Sequence, residues 1–190
     1  MSKIKLALFA SGTGSNALKI MDHFSSHPSV EIGFLLCNKK DAPVVQLSRE
    51  KGVEVITATN EEVANGDFLS KICHEQKIDF IILAGYLRKI PSELLKNYTE
   101  RIINIHPALL PKHGGAGMYG KYVHEAVLNV KDKETGITIH FVNEHFDEGR
   151  IIAQFHCEVD SSDTIETIQE KIQRLEHTYF SFVIEKTVIS

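Results

Sequence analysis

The sequence predicts an α/β fold: a doubly wound, mostly parallel sheet, Rossmann-like in its N-terminal half, with antiparallel strands and one long helix at the C-terminal end. Three observations carry this. Short apolar runs such as Ile4–Phe9 and Asp79–Ala84 lack polar alternation, as strands buried on both faces do. Segments of helical period separate these runs. After Pro107 the order changes, with two strand-like runs in succession and a long amphipathic stretch behind them. A length of 190 residues, 43% hydrophobic and 24% charged, suits one globular domain spanning residues 1–190. A chain of this size buries enough surface to fold without disulfide staples.

Element by element, Ile4–Phe9 is a strand closed by the turn-rich segment Ala10–Asn16, and Ala17–Phe24 has helical period. Glu31–Cys37 is a second strand. Ala42–Lys51 is a helix stopped by Gly52, the residue type best suited to a left-handed C-terminal position. Val53–Ile56 is a short strand and Glu61–Gln76 a helix weakened by Gly66. Asp79–Ala84 and Arg101–His106 are two more strands with a short helix, Ser92–Asn97, between them. The glycine-rich loop His113–Gly120 leads into a helix over Tyr122–Asn129. Strands Gly136–Val142 and Arg150–Val159 follow, joined by Asn143–Gly149, a connection long for a tight hairpin. Thr164–Glu185 is the long final helix, with Asp163 as its cap.

Composition narrows the function classes. A net charge of −4 argues against a general nucleic-acid or anionic-membrane binder, so small-molecule partners are expected. No apolar stretch approaches the ~20 residues that span a bilayer. The segment Met1–Phe9 lacks the length of a signal peptide, which makes the cytoplasm the expected location. Cys37, Cys73 and Cys157 form no C-x-x-C pair and are expected as buried, reduced thiols. Among the ten histidines there is no H-E-x-x-H motif, and no metal site is expected.

Three places carry candidate chemistry. Ser11-Gly-Thr-Gly-Ser-Asn16 lies between a strand and a helix, where backbone N–H groups and the helix N-terminus receive a phosphate. It is neither a Walker loop nor a dinucleotide fingerprint, so a phosphomonoester fits it better; a plain tight turn with a helix cap is the competing reading. Asn104 and His106 stand two apart near the carboxyl end of a strand and share one face, while Ile103 and Ile105 take the other. An amide beside an imidazole stabilises an oxyanion and moves a proton, unless the two only close the strand before Pro107. Asp147, in the loop Glu144–Gly149, would orient His106 and favour its protonated form if the two met; taken alone it is an ordinary turn residue. His140 points either to the site or into the core, and His124 and His177 sit on helices.

The segments Ala10–Asn16, Ala84-Gly-Tyr-Leu-Arg88, Asn104-Ile-His-Pro-Ala-Leu-Leu-Pro-Lys112, Phe146-Asp-Glu-Gly149 and Glu176-His177 together resemble the phosphoribosylglycinamide formyltransferases, in order through nearly the whole chain. The Asn-x-His-Pro-x-Leu-Leu-Pro block is shared with the wider formyltetrahydrofolate-dependent transferases and hydrolases. The resemblance implies formyl transfer from 10-formyltetrahydrofolate, a cosubstrate and not a tightly bound cofactor, to the amine of a phosphoribosylated glycinamide in purine synthesis. It implies Asn104, His106 and Asp147 as the catalytic set, with His106 held protonated by Asp147. It implies Gly14, Ser15, Asn16 and Ala17 around the phosphate and Glu176 near the glycinamide. The folate would lie against Leu87, Arg88, Lys89, Ile90, Asn104, Asn143 and Asp147.

Residues 1–100 then form the phosphate-binding half and 101–190 the catalytic and folate-binding half, in a monomer or homodimer. Two departures stand out. Some members carry a folate-side Arg in the segment matching Val63–Gly66, and this chain has none; its Gly114–Gly120 loop is also longer than in many members. Hydrolysis of formyltetrahydrofolate, formylation of initiator methionyl-tRNA and a non-catalytic phosphosugar-binding module are the alternatives. Members with the first two activities usually carry an N-terminal regulatory domain or an added C-terminal domain, respectively.

Overall fold

The computed structural model describes residues 3–190; Met1 and Ser2, where the N-terminal segment read above begins, lie outside the described residues. Strands β1 (Ile4–Ala10), β2 (Val30–Cys37), β3 (Val55–Thr57), β4 (Phe80–Leu83) and β5 (Ile102–His106) pair in parallel. β6 (Glu134–Phe141) and β7 (Ile151–Glu158) add antiparallel pairs beside β5. The order across the seven-stranded sheet is β3-β2-β1-β4-β5-β6-β7. The chain therefore winds outward from β1 in one direction and, from β4 on, in the other. The crevice at that reversal, beyond the carboxyl ends of β1 and β4, is where open α/β sheets take ligands.

Helices α1 (Ser15–Phe24), α2 (Pro43–Glu50), α3 (Asn60–Ala64), α4 (Gly66–Glu75), α5 (Ser92–Asn97), α6 (Lys121–Asn129) and α7 (Ile165–Ile189) cover the sheet. Strand side chains alternate, and each set meets its own helices. Leu6, Leu8, Ile82, Ile103 and Ile139 pack against Ile20 of α1, Val44 of α2 and Ile172, Phe180 and Ile184 of α7. Phe9, Phe34, Ile81 and Ile102 pack against Val63 of α3, Leu69 of α4 and Leu94 of α5. Each fully buried aliphatic or phenyl side chain contributes about 1.5–3 kcal/mol, so these two layers dominate the stability.

The structure corrects several boundaries. The helix expected over 61–76 is two helices broken at Asn65. Thr59 caps α3 in a reciprocal box with Glu62, and the Asn65 side chain caps α4 at the Phe68 N–H. A Cβ on Gly66 would meet Glu93 and Pro91 at 2.6–3.1 Å, so the close approach of α4 to α5 demands this residue. The cap of α7 is Thr164, whose Oγ1 accepts from the Thr167 N–H; Asp163 instead accepts from the Thr167 hydroxyl and from Lys171. That helix runs on to Ile189, α1 starts at Ser15, and β3 occupies Val55–Thr57. Cys37 and Cys73 are buried free thiols, but Cys157 is only half-buried. No helix among the described residues is long and apolar enough to cross a membrane.

Candidate active site

β1 ends in a turn that α1 takes up at once. Gly14 is the N-cap at φ +74°, a left-handed conformation, and a Cβ there would stand 2.0 Å from Val44 Cγ2. Glycine is required on both counts. No side chain caps α1, and its first helical bond runs from Leu18 N–H to Gly14 O at 2.9 Å. The N–H groups of Ser15, Asn16 and Ala17 have no acceptor within the helix, which makes this end receptive to an anion. Gly14, Ser15 and Asn16 line a cleft of about 470 Å³, whereas the Ala17 side chain packs in the core and offers only its N–H.

Ser11 ties this turn to the opposite wall. Its hydroxyl donates to Asn38 Oδ1 at 2.7 Å and accepts from the Leu87 N–H at 3.1 Å. Leu87, Arg88, Lys89 and Ile90 continue along that wall. On the far side Asn16 Nδ2 donates to Glu176 Oε2 at 2.9 Å, joining α1 to α7, while Asn16 Oδ1 is buried without a partner. Burial pushes the Glu176 carboxyl above its ordinary range, with the Asn16 amide acting in the other direction.

Asn104 and His106 share the cleft face of β5, and the antiparallel register sets His140 of β6 directly opposite Asn104. His140 Nδ1 lies 2.8 Å from the Phe141 carbonyl, and in the neutral ring with its proton on Nδ1, Nε2 accepts an N–H from Asn104 Nδ2 at 3.2 Å. This fixes the Asn104 amide and leaves its second N–H for a ligand. The buried His106 has its Nε2 2.8 Å from the His113 carbonyl and its Nδ1 3.4 Å from Asp147 Oδ2. Asp147 also takes the Gly115 N–H at 3.0 Å and lies 3.6 Å from His140 Nε2. Three sequence-predicted residues thus converge.

The electrostatics correct one expectation. Burial is the largest influence on His106 and pushes it below its ordinary value, against the pull of the Asp147 charge and the His113 carbonyl. Because Nε2 faces the His113 carbonyl, the neutral ring carries its proton on Nε2 and turns Nδ1 to Asp147, and the Asp147 charge favours the imidazolium without outweighing burial. Burial pushes the Asp147 carboxyl up, but His140, His106 and the Gly115 N–H outweigh it and hold it below its ordinary value, so it is ionised. An ionised carboxylate beside a vacant Nδ1 is a proton acceptor in waiting.

Glu176, Asn143 and the Leu87–Ile90 segment also line the cleft. Sequence alternation left His140 open between site and core, and the structure puts it in the site. The His113 carbonyl and the Gly115 N–H carry no sequence signal, because they are backbone groups. His23 and His27, four apart, converge on Glu185 at 2.6 and 3.9 Å. Among the described residues no group of three or more His, Cys, Asp and Glu side chains is placed to hold a metal ion.

Comparison with known proteins places this geometry in context. Residues 4–184 match the family described as formyl transferase. A chloroplastic phosphoribosylglycinamide formyltransferase of Arabidopsis thaliana is 40% identical over 95% of this chain and 64% of its own length. Its counterpart in Vigna unguiculata is 39% identical, with 60% of its length covered, so the chain spans less than two thirds of these plant relatives. The phosphoribosylglycinamide formyltransferase of Bacillus subtilis is 35% identical over 96% of this chain and 93% of its own. The crystal structure of the enzyme of that name from Bacillus halodurans superposes with a TM-score of 0.86 at 34% identity, covering 96% of this chain and 94% of its own.

Proposed function

The chain belongs to the formyl transferase family, and on that premise we propose that it moves a formyl group from 10-formyltetrahydrofolate to the amine of N1-(5-phospho-D-ribosyl)glycinamide, a step of purine synthesis. One observation carries the reading: a single cleft joins an anion-receptive helix end at Gly14–Ala17 to the amide, imidazole and carboxylate of Asn104, His106 and Asp147. The whole chain acts as one domain.

In this mechanism the sugar phosphate rests on the N–H groups of Ser15, Asn16 and Ala17, and Glu176 faces the glycinamide side. The folate lies along Leu87–Ile90 and Asn143–Asp147, where Leu87 and Phe146 expose large apolar surfaces. The amine nitrogen attacks the formyl carbon, a C–N bond forms, and the carbonyl electron pair moves onto oxygen. The free N–H of Asn104 donates to that oxyanion. The proton released by the amine goes to the His106–Asp147 pair, whose imidazolium then adds charge stabilisation. Collapse of the intermediate breaks the bond to the folate nitrogen, which takes up that proton, leaving tetrahydrofolate and the formylated amide.

The test is incubation with 10-formyltetrahydrofolate in the presence and absence of the sugar amine. Tetrahydrofolate formed only with the amine supports the proposal. Formate released without it marks a hydrolase, and sugar-phosphate binding with no turnover of the formyl group marks a binding module; either result overturns it.

A further inference from the structure

We propose that His113, anchored by Asp132, is a positioning residue for the His106–Asp147 pair, an inference that rests on the proposed reaction for its kinetic consequence but not for its structural one. His113 lies outside the cleft, yet three observations tie it to the pair. Its carbonyl is the partner of His106 Nε2 at 2.8 Å. Two residues on, the Gly115 N–H donates to Asp147 Oδ2 at 3.0 Å. Between them Gly114 sits so close that a Cβ would stand 3.3 Å from Asp147 Cβ and 2.5 Å from Leu110 Cδ2. One short stretch of backbone therefore holds both members of the pair.

That stretch is itself held from behind. His113 adopts φ +55°, a conformation that residues with a Cβ rarely take, although glycine occupies the next two positions. What a glycine at 113 would lack is the side chain, and the side chain makes a contact: His113 Nε2 lies 2.7 Å from Asp132 Oδ2, just beyond α6. Lys112 Nζ holds the other carboxylate oxygen at 3.0 Å. These two partners hold the Asp132 carboxyl below its ordinary value, His113 first. The tether fixes the peptide whose oxygen receives the His106 proton.

The consequence is a choice of tautomer. With the His113 carbonyl in place, the neutral His106 ring carries its proton on Nε2 and leaves Nδ1 vacant toward Asp147. Without it, the ring gains by moving the proton to Nδ1, where the carboxylate accepts it, and the pair loses its vacant acceptor. The other charged or titratable groups around His106 are His140 and His124, and neither offers an alternative acceptor to Nε2 within hydrogen-bond distance.

The experiment compares the full-length protein with His113→Gly and Asp132→Ala. Glycine relaxes φ and keeps the carbonyl, so only the tether is lost. Nitrogen-15 NMR of the His106 ring, without substrates, reports the tautomer. The expected result is the Nε2–H form in the wild type and a mixture with the Nδ1–H form in both variants. Formyl transfer kinetics are expected to show kcat lower by on the order of tenfold, the share of the pair left without its vacant acceptor, with KM for both substrates little changed. An unaltered tautomer in both variants, or a loss of thermal stability with kcat intact, overturns the proposal. If Asp132→Ala fails to fold, His113→Gly decides alone. If the wild type transfers no formyl group, the proposed reaction falls while the NMR result still decides the role of His113.

Discussion

Replacing Asp147 by Asn removes a charge and almost nothing else. Asp147 sits at φ +59°, which Asn tolerates well, and the amide oxygen of Asn can replace Asp147 Oδ2 as acceptor for the Gly115 N–H. What is lost is the attraction to a protonated His106 Nδ1 at 3.4 Å. Unit charges at that distance attract by about 5 kcal/mol at an effective dielectric constant near 20, and even about 1.4 kcal/mol of it is tenfold in the imidazolium population. The sign follows from what sets the His106 value. Burial pushes it down and Asp147 is the largest influence pulling it back up, so the variant's His106 must titrate at lower pH than the wild type's. A ring that binds a proton less well takes it less readily from the attacking amine. In Asp147→Asn kcat is therefore expected to fall by at least about tenfold between about pH 6 and 8, with the acid limb of the profile moved to lower pH. An NMR titration of His106 beside the pH profile of kcat measures both effects. A His106 midpoint equal in the two proteins would show that the carboxylate does not act on the ring, and the reasoning would fail.

Three further outcomes are expected. Asn104→Ala loses the oxyanion donor, about 3–4 kcal/mol of transition-state stabilisation, with little change in Tm; near-normal kcat in a folded variant would remove Asn104 from the mechanism. Gly14→Ala drives a Cβ to 2.0 Å from Val44 Cγ2 at φ +74°, so a loss of about 1–3 kcal/mol of stability by denaturant unfolding and a raised KM for the sugar phosphate are expected, and an unchanged unfolding midpoint would contradict the turn geometry. Glu176→Gln keeps an acceptor for Asn16 but no longer charges a buried group: because the folded-state value of Glu176 is raised, the variant's Tm should exceed the wild type's above that value, and the gap should close as pH falls below the ordinary Glu range. A gap independent of pH would refute it.

The fold was legible because its signals are local. Apolar runs mark the parallel strands, and Gly52 marks where α2 ends. The errors have local causes as well. At 61–76 the helical period survives the break, since Asn65 caps α4 in passing and the apolar face continues across it. Asp163 and Thr164 are both good caps by residue type. The choice fell to Thr164 because its hydroxyl pairs with Thr167, while the Asp163 carboxylate holds the Thr167 hydroxyl and Lys171. Side-chain competition of that kind cannot be read from spacing.

The site was legible only along one strand. Asn104 and His106 announce themselves by period two, but His140 faces Asn104 through an antiparallel register that the sequence leaves free. Asp147 raises a sharper question of geometry. β6 runs against β5, so the chain leaves β6 beside Ile103, near the amino end of β5, roughly three residues or 10 Å short of His106. A two-residue hairpin there would leave any carboxylate out of reach. The connection instead takes residues 142–150 and folds back over the sheet face toward His106. It closes tightly where it rejoins β7, because Gly149 lies so near the Phe141 carbonyl that a Cβ would stand 1.7 Å from the oxygen. The length that made this segment a poor hairpin is the length a carboxylate needs to return to the carboxyl end of β5. The excess residues between β6 and β7 are thus the readable trace of the Asp147 contact, even though the partner they reach is not.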